Sequence, residues 1–423
     1  MRIALICTEK LPVPPVAGGA VQLYIEGIVP YLSRYHDLTV FGIEYRGLPQ
    51  EEVRGTVKYI RVPAPSKNAY IANVKAHLRG NFDLIYVFNR PLWVLFLANS
   101  LSGVRFGLSL HNEMFHPEKI NDAKALQCVE RVDFINNVSR FIADGVKKRV
   151  PLAENKLRVI YSGADFNKYA PAWTVEAQEN KLRLKKKYDI QDYRVVLFVG
   201  RLSNKKGVDV LLKAMQRVTS YHRDVALVIV GSKWYGKNES DEYTTSLQLL
   251  ARSVKGPIVF TGFLSPSQIP PHYNMADVFV CASQWNEPLA RVHYEAMAAG
   301  LPIVTTDRGG NAEVVEDGIN GIILDSSTRS YSNPDAMADR IHYLLDHPKV
   351  ASELGKNGRK LVEEKYNWER VAQEVLQSIT GSHYPSLPPP DPVPDTPDIV
   401  DSRQEPEEKA PEKESSSFFD VDF

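Results

Sequence analysis

NEPLARVHYEAMAAGLPIV, Asn286–Val304, is the stretch whose reading decides the fold. Pro288 suits a first helical turn, alanines fill the body that follows, and Gly300 with Pro302 supplies the stop. The helix so predicted is apolar nearly all round, which places it inside a domain. An apolar run, LPIVTT, follows at once and reads as a short strand. Helix followed by buried strand, with loops of two or three residues, is the unit of a doubly wound α/β sheet.

The same alternation extends outward from that unit. Upstream lie RVVLFVG, VALVIVG, PIVFTGF and ADVFVCAS, each followed by a helical pattern, and together they make one α/β lobe. A separate set nearer the N-terminus, RIALIC, LTVFGI, VKYIRV, FDLIYVF, VRFGLSL and VDFINNVS, makes another. The near-continuous apolar character of several strands predicts parallel sheets covered on both faces. Between the sets, about 161–193, the pattern lapses into a charged stretch that reads as a linker, and Lys185–Lys187 reads as a solvated helix face. From about Ala336 to Ile379 the period is helical, ending in a helix suited to packing back across both lobes. Beyond Gly381 the chain turns proline-rich and acidic, a composition that predicts disorder, although the final FFDVDF has the look of a docking peptide. The expected division is 1–165, 166–362, a crossing helix at 363–382, and a disordered tail at 383–423.

Composition narrows the class. The 423 residues exceed one ordinary core, and 43% hydrophobic with 24% charged residues is a globular balance. Lysine plus arginine equals aspartate plus glutamate at 51 each, so no global field favours nucleic acid or an acidic membrane. Cys7, Cys128 and Cys281 are too few and too scattered for a disulfide framework or a zinc site, and predict buried thiols in a reducing compartment. The N-terminal run reads as a strand rather than a secretory signal, and no stretch approaches the ~20 apolar residues of a membrane span.

Several residues carry chemistry by type and place. Glu287 ends a loop and Glu295 lies eight residues on, just over two helical turns away. Two carboxylates so spaced do not form one acid/base pair but grip different parts of an extended ligand, each accepting hydroxyl hydrogen bonds. In VGRLSNKKGVDVLLKAM a strand ends at Gly200 and a helix starts a few residues later, with Arg201 and Lys206 beside its N-terminus, a natural pyrophosphate site. Gly18 and Gly19, between the first strand and its helix, allow a close backbone approach to an anion but do not spell a dinucleotide fingerprint. His111 follows a strand at the end where open α/β sheets bind ligands, with His116 as a nearby competitor. Gly231–Asn238, GSKWYGKN, nearly spells a phosphate-binding P-loop but lacks its final serine or threonine, and Asp420 and Asp422 spell a D-x-D in the tail; neither is read as a site.

Taken together, these segments resemble the retaining, two-lobed glycosyltransferases of family four, over roughly residues 1–380. The resemblance implies a GT-B fold: two facing Rossmann-like lobes, the first on the acceptor side and the second binding a nucleotide-diphosphate sugar. It implies that Glu287 contacts the donor sugar, Glu295 the ribose, Arg201 and Lys206 the diphosphate, and that Gly18, Gly19 and His111 approach the reacting centre. Phe263 is implied to lie by the base, and Gly163, Asp165, Gly309, Gly310 and Glu313 align more loosely, the last loop falling between the lobes. No metal or cofactor is implied. Where the family has phenylalanine-glycine after E-P, this chain has Leu289 and Ala290, followed by Arg291; an Arg291–Glu295 intrahelical pair is one reading of that change. The strings EKLPVP, YSGADFNKY, GSKWYG and QWNEPLARVHYEAMAAGLPI are similar to the spore coat protein SA group of spore-forming bacilli. That implies a product of the mother-cell cytoplasm that ends on the spore coat, with a coat partner for the tail. The expectation is therefore a retaining hexosyltransferase with an unknown glycan, lipid or protein acceptor. A nucleotide-sugar epimerase and a non-catalytic coat protein remain as alternatives.

Overall fold

The structure is a computed structural model that describes residues 1–78, 82–233 and 241–384. The first sheet contains β1 (Arg2–Ile6), β2 (Asp37–Ile43), β3 (Glu51–Arg54), β4 (Val57–Val62), β5 (Leu84–Phe88), β6 (Arg105–Leu110), β7 (Phe134–Asn137) and β8 (Leu157–Val159). Their order is β3-β4-β2-β1-β5-β6-β7-β8. The second contains β9 (Arg194–Val199), β10 (Val225–Val230), β11 (Ile258–Gly262), β12 (Val278–Cys281), β13 (Ile303–Thr306) and β14 (Ile322–Leu324), in the order β11-β10-β9-β12-β13-β14. All pairs are parallel except the β3–β4 hairpin.

Both faces of each sheet are buried, as the apolar strands require. In β1, Ala4 and Ile6 enter one core while Ile3 and Leu5 enter the other. In β9, Val195, Leu197 and Val199 face one side, and Val196 and Phe198 the other. Around the first sheet lie α1 (Ala20–Leu32), α2 (Lys67–His77), α3 (Pro91–Ala98), α4 (Asp122–Arg131) and α5 (Arg140–Arg149). Around the second lie α6 (Val175–Lys187), α7 (Val208–Tyr221), α8 (Glu242–Ala251), α9 (Ile269–Tyr273), α10 (Val292–Ala298), α11 (Pro334–Asp346) and α12 (Pro348–Lys365), and the described chain closes with α13 (Trp368–Thr380). The three cysteines are buried and free. No helix among the described residues is long and apolar enough to cross a membrane.

Some expectations from sequence are corrected. The charged stretch read as a linker contains α6, docked on the second domain by Lys181 Nζ to Asp277 at 2.7 Å and Asn180 Nδ2 to Asn274 at 3.1 Å. Lys185–Lys187 do lie on a helix, as their sequence suggests, but α6 buries only Ala177 and Leu184, too little to mark its full length by pattern. α10 starts at Val292 rather than Pro288. The intervening backbone is held elsewhere: Glu287 forms a parallel bridge with Gly309, and Ala290 N donates to Asn311 Oδ1 at 3.2 Å. Strand β3 has a single apolar residue, and β8 and β14 are three residues long, too short to show by pattern. The acidic tail from residue 385, with FFDVDF and Asp420-Val-Asp422, lies outside the described residues, as do residues 234–238 of the P-loop-like string.

The C-terminal helices tie the two domains together. α12 lies on α10 so closely that a Cβ on Gly355 would come within 2.1 Å of Gly300 O. The chain then breaks at Tyr366–Asn367, where the Asn367 side chain caps the next helix by accepting from Arg370 N at 2.9 Å. α13 crosses to the first domain, burying Val371, Val375 and Ile379 in the core beneath α1. A Cβ on Gly27 of α1 would lie 2.2 Å from the Trp368 ring, so only glycine lets this helix pair close. Gly27→Leu is expected to destabilise the protein by about 1–3 kcal/mol through overpacking. Urea denaturation checks it, with a lowered midpoint and an unchanged slope as the expected result.

Candidate active site between the domains

A chain whose strands run parallel returns over the sheet faces, so the loops after the strands gather at one edge. Here those edges face each other across a cleft of ≈ 2760 Å³. Loops after β1, β5, β6, β9, β10, β11 and β12 all line it. Gly18, Gly19, His111, Arg201, Lys206, Phe263, Glu287, Leu289, Ala290 and Glu295 lie on its wall, as does Asp165, whereas Gly163, Gly309, Gly310 and Glu313 are not among its lining residues.

Close backbone contacts build the second-domain wall. A Cβ on Gly231 would meet Gly200 O at 2.0 Å, which brings the ends of β9 and β10 together. Gly207, at φ +68°, precedes α7 and would strike Ala282 O at 2.0 Å if it carried a side chain. The 201–207 loop is thus pressed onto the segment after β12, and Gln284 N donates to Lys205 O at 2.8 Å. This packing delivers Lys206 to Glu287.

Lys206 Nζ donates to both Glu287 oxygens, at 2.9 and 2.8 Å. Ser283 Oγ and Trp285 Nε1 add donors to Oε2 at 3.0 and 2.8 Å. Burial pushes this carboxyl upward, but the Lys206 charge and the three donors outweigh it and hold Glu287 below its usual 4.5. It is a buried anion kept charged. The sequence had assigned Lys206 to one ligand group and Glu287 to another; the fold pairs them directly. Eight residues on, Glu295 accepts from the Tyr273 hydroxyl at 2.8 Å. Ser283, Trp285 and Tyr273 had no local signal, because the fold alone aims them at these carboxylates.

The first-domain wall presents His111. Its backbone N donates to Asn89 Oδ1 at 3.1 Å, its Nε2 lies 3.1 Å from Ser109 Oγ, and Tyr24 meets it edge-on at 4.7 Å between ring centroids. Burial, then the positive charge of Arg291, lower it from 6.5 to about 3. The ring is neutral at neutral pH and offers a hydrogen bond rather than a charge. His116 instead lies near Glu118, 3.7 Å away, on a more exposed surface. Gly19, at φ +106°, precedes α1, and a Cβ there would overlap Gln22 Oε1 at 2.3 Å. Gln22 in turn fixes the loop through Thr8 Oγ1 and Leu11 O, both at 3.1 Å.

One further expectation resolves differently. Arg291 does not pair with Glu295; its Nη1 donates to Ser162 Oγ at 2.9 Å and Gly163 O at 3.2 Å, and its guanidinium stacks 5.4 Å from the Trp368 ring. Ala290 N, next to Leu289 on the cleft wall, is occupied by Asn311.

Comparison with known proteins agrees with this geometry. Residues 18–168 match the family model "Glycosyltransferase Family 4" and residues 180–361 match "Glycosyl transferases group 1". Two twisted parallel-sheet domains facing each other in this way define the GT-B class, and the chain superimposes on members of it. Sucrose-phosphate synthase from Thermosynechococcus elongatus gives a TM-score of 0.73 at 20% identity, over 90% of this chain and 98% of that one. Anabaena HepE in complex with UDP and glucose gives 0.72 at 20%, over 90% and 100%. Among curated proteins, the putative glycosyltransferase YtcC of Bacillus subtilis is 43% identical over 394 residues, 92% of this chain and 95% of its own. Spore coat protein SA of the same organism is also 43% identical, over 89% and 98%. The chain belongs to glycosyltransferase family four.

The ion pair makes a signed prediction. Because the folded Glu287 carboxyl lies below its unfolded value, its contribution to stability is present above about pH 4.5 and is lost as pH falls through the folded value. Lys206→Met removes the positive charge and its hydrogen bonds, leaving burial opposed only by the Ser283 and Trp285 donors, so the carboxyl is expected to rise. The variant is expected to lose about 3–5 kcal/mol at neutral pH. Part of that loss should return as the pH is lowered and Glu287 takes up a proton, which urea denaturation at several pH values measures.

Proposed function

We propose that the protein transfers a hexose-type sugar from a nucleotide-diphosphate sugar to an acceptor, with retention at the anomeric carbon and without a metal. One observation carries this reading: a buried, charged Glu287 held by Lys206 at the carboxyl ends of one sheet, with neutral His111 on the facing wall. Glu287 would accept a sugar hydroxyl through Oε1, which among the described residues holds only the Lys206 bond, and Glu295 would hold the ribose. Phe263 would lie by the base.

When the bond from the anomeric carbon to the phosphate oxygen breaks, its electron pair stays on the diphosphate. Arg201, Lys206 and the amides before α7 would stabilise that charge, a contribution able to supply most of the rate. The acceptor oxygen would bond to the same face of the sugar, and its proton would go to the departing phosphate oxygen. His111 and the Gly18–Gly19 loop would close over the sugar and exclude water.

HepE was solved with UDP-glucose, which makes that donor the first to try. Likeness to spore coat protein SA supports a setting in coat or envelope assembly, from the mother-cell cytoplasm to the spore coat, with a coat partner for the tail. Saturation-transfer NMR against UDP-, GDP- and ADP-sugars without added metal is expected to show one preferred donor, with binding lost in Glu295→Ala. Binding of none would favour a non-catalytic coat protein. Conversion of the donor into an epimeric nucleotide sugar with no acceptor present would favour an epimerase. Arg201→Ala is expected to lower turnover by about 100-fold or more, the scale of one lost charge-stabilising donor, as measured by nucleotide release with saturating donor and an acceptor; wild-type turnover would overturn the diphosphate assignment.

A further inference from the structure

The loop Gly309–Glu313, just beyond the cleft end of β13, is gripped from both sides. On its own domain, Gly310 N donates to Glu287 O at 2.8 Å, Gly309 bridges Glu287, and Asn311 holds the amide of Ala290. On the other side Glu313 reaches into the first domain. Its Oε2 accepts from Arg140 N at 2.7 Å and its Oε1 from Phe141 N at 2.8 Å, the first two amides of α5. The Tyr161 hydroxyl adds a third bond at 3.0 Å, and α5's next amide, Ile142 N, goes to Ser139 Oγ at 3.2 Å.

A helix begins with amides that have no partner within it, and its N-terminus favours an anion. In α5 two of those amides are supplied by a carboxylate from the other domain. The fit has little slack: a Cβ on Gly310 would lie 2.3 Å from Pro288 O and 2.9 Å from Ser139 Cβ. The other polar bonds cited between the domains, Arg291 to Ser162 and Gly163, and Arg370 to Tyr161 O and Ser162 O, end on the connecting segment itself. Glu313 alone of these reaches a helix that the chain connection does not hold in place.

We infer that Glu313 is a positioning residue that latches the closed arrangement of the two domains and, through the 309–311 backbone, seats the Glu287 loop opposite His111. Its effect on rate rests on the transferase reading above; the latch itself does not. Charge-assisted bonds suit a contact that must form and break, because on opening both the carboxylate and the amides regain water, so the net cost of release is small.

The test uses the full chain and two variants, Glu313→Ala and the isosteric Glu313→Gln, with thermal melting as a check on folding. Amide hydrogen exchange at Arg140 and Phe141 and the radius of gyration in saturating UDP report the latch without reference to catalysis. Exchange is expected to quicken about fivefold or more in Glu313→Ala, and less in Glu313→Gln, on the scale of a carboxylate at a helix N-terminus. The radius of gyration is expected to grow. Affinity for UDP should stay within about twofold while turnover at saturating donor falls about tenfold, since closure rather than nucleotide binding is impaired. Unchanged exchange and radius in a folded Glu313→Ala protein would overturn the latch. Equal losses of UDP affinity and turnover would overturn the positioning role in favour of general damage to the loop. A wild-type protein that transfers no sugar would sink the transferase reading alone, and exchange and radius would still decide the latch.

Discussion

The parallel hydrogen bonding of the two sheets is the constraint on which the rest depends. A strand pairing parallel to its neighbour must be preceded by a return over one face, so both faces are covered and both must be apolar. The cores on either side of β1 and β9 are that requirement met. The same geometry sends the loops after the strands to one edge. Two such edges, turned toward each other and tied by α12 and α13, make the cleft without any element devoted to it.

Within the cleft, chemistry follows from how buried charge is managed. Glu287 is too buried to stay ionised alone, and the loop carrying Lys206 is pressed against it by glycines that a side chain would push away. Two neutral donors and a cation keep the carboxylate charged, while burial keeps His111 neutral on the facing wall. Opposite treatment of two titratable groups in one cleft is what an enzyme site uses to divide charge from hydrogen bonding. Family membership and the superpositions on GT-B structures fit this arrangement.

Contacts between the domains are of two kinds, and they differ in what they permit. Trp368 against Gly27 and the apolar face of α13 form a fixed hinge side, where burial is costly to undo. Across the cleft, the contact of Glu313 with α5 is polar and can be exchanged for water. One side of the cleft is thus held by packing and the other by hydrogen bonds.

The sequence by itself determined the α/β class and most strands of both sheets, and it singled out Gly18, Gly19, His111, Arg201, Lys206, Phe263, Glu287, Leu289, Ala290 and Glu295, which the fold gathers on one cleft wall or the other. These are carried by local signals: apolar runs, glycines at strand ends, and spacing within one segment. Tertiary structure decided that α6 docks rather than links and that α10 begins at Val292, because Glu287 and Ala290 spend their backbone groups on Gly309, Gly310 and Asn311. It also decided that Arg291 turns from Glu295 to Ser162, that Lys206 and Glu287 are partners, and that Glu313 caps a helix 170 residues away in the chain. Such pairings join segments that share no period and no neighbouring residues. They exist only once the two domains face each other, since the energy that selects them comes from desolvated charges finding partners across the fold.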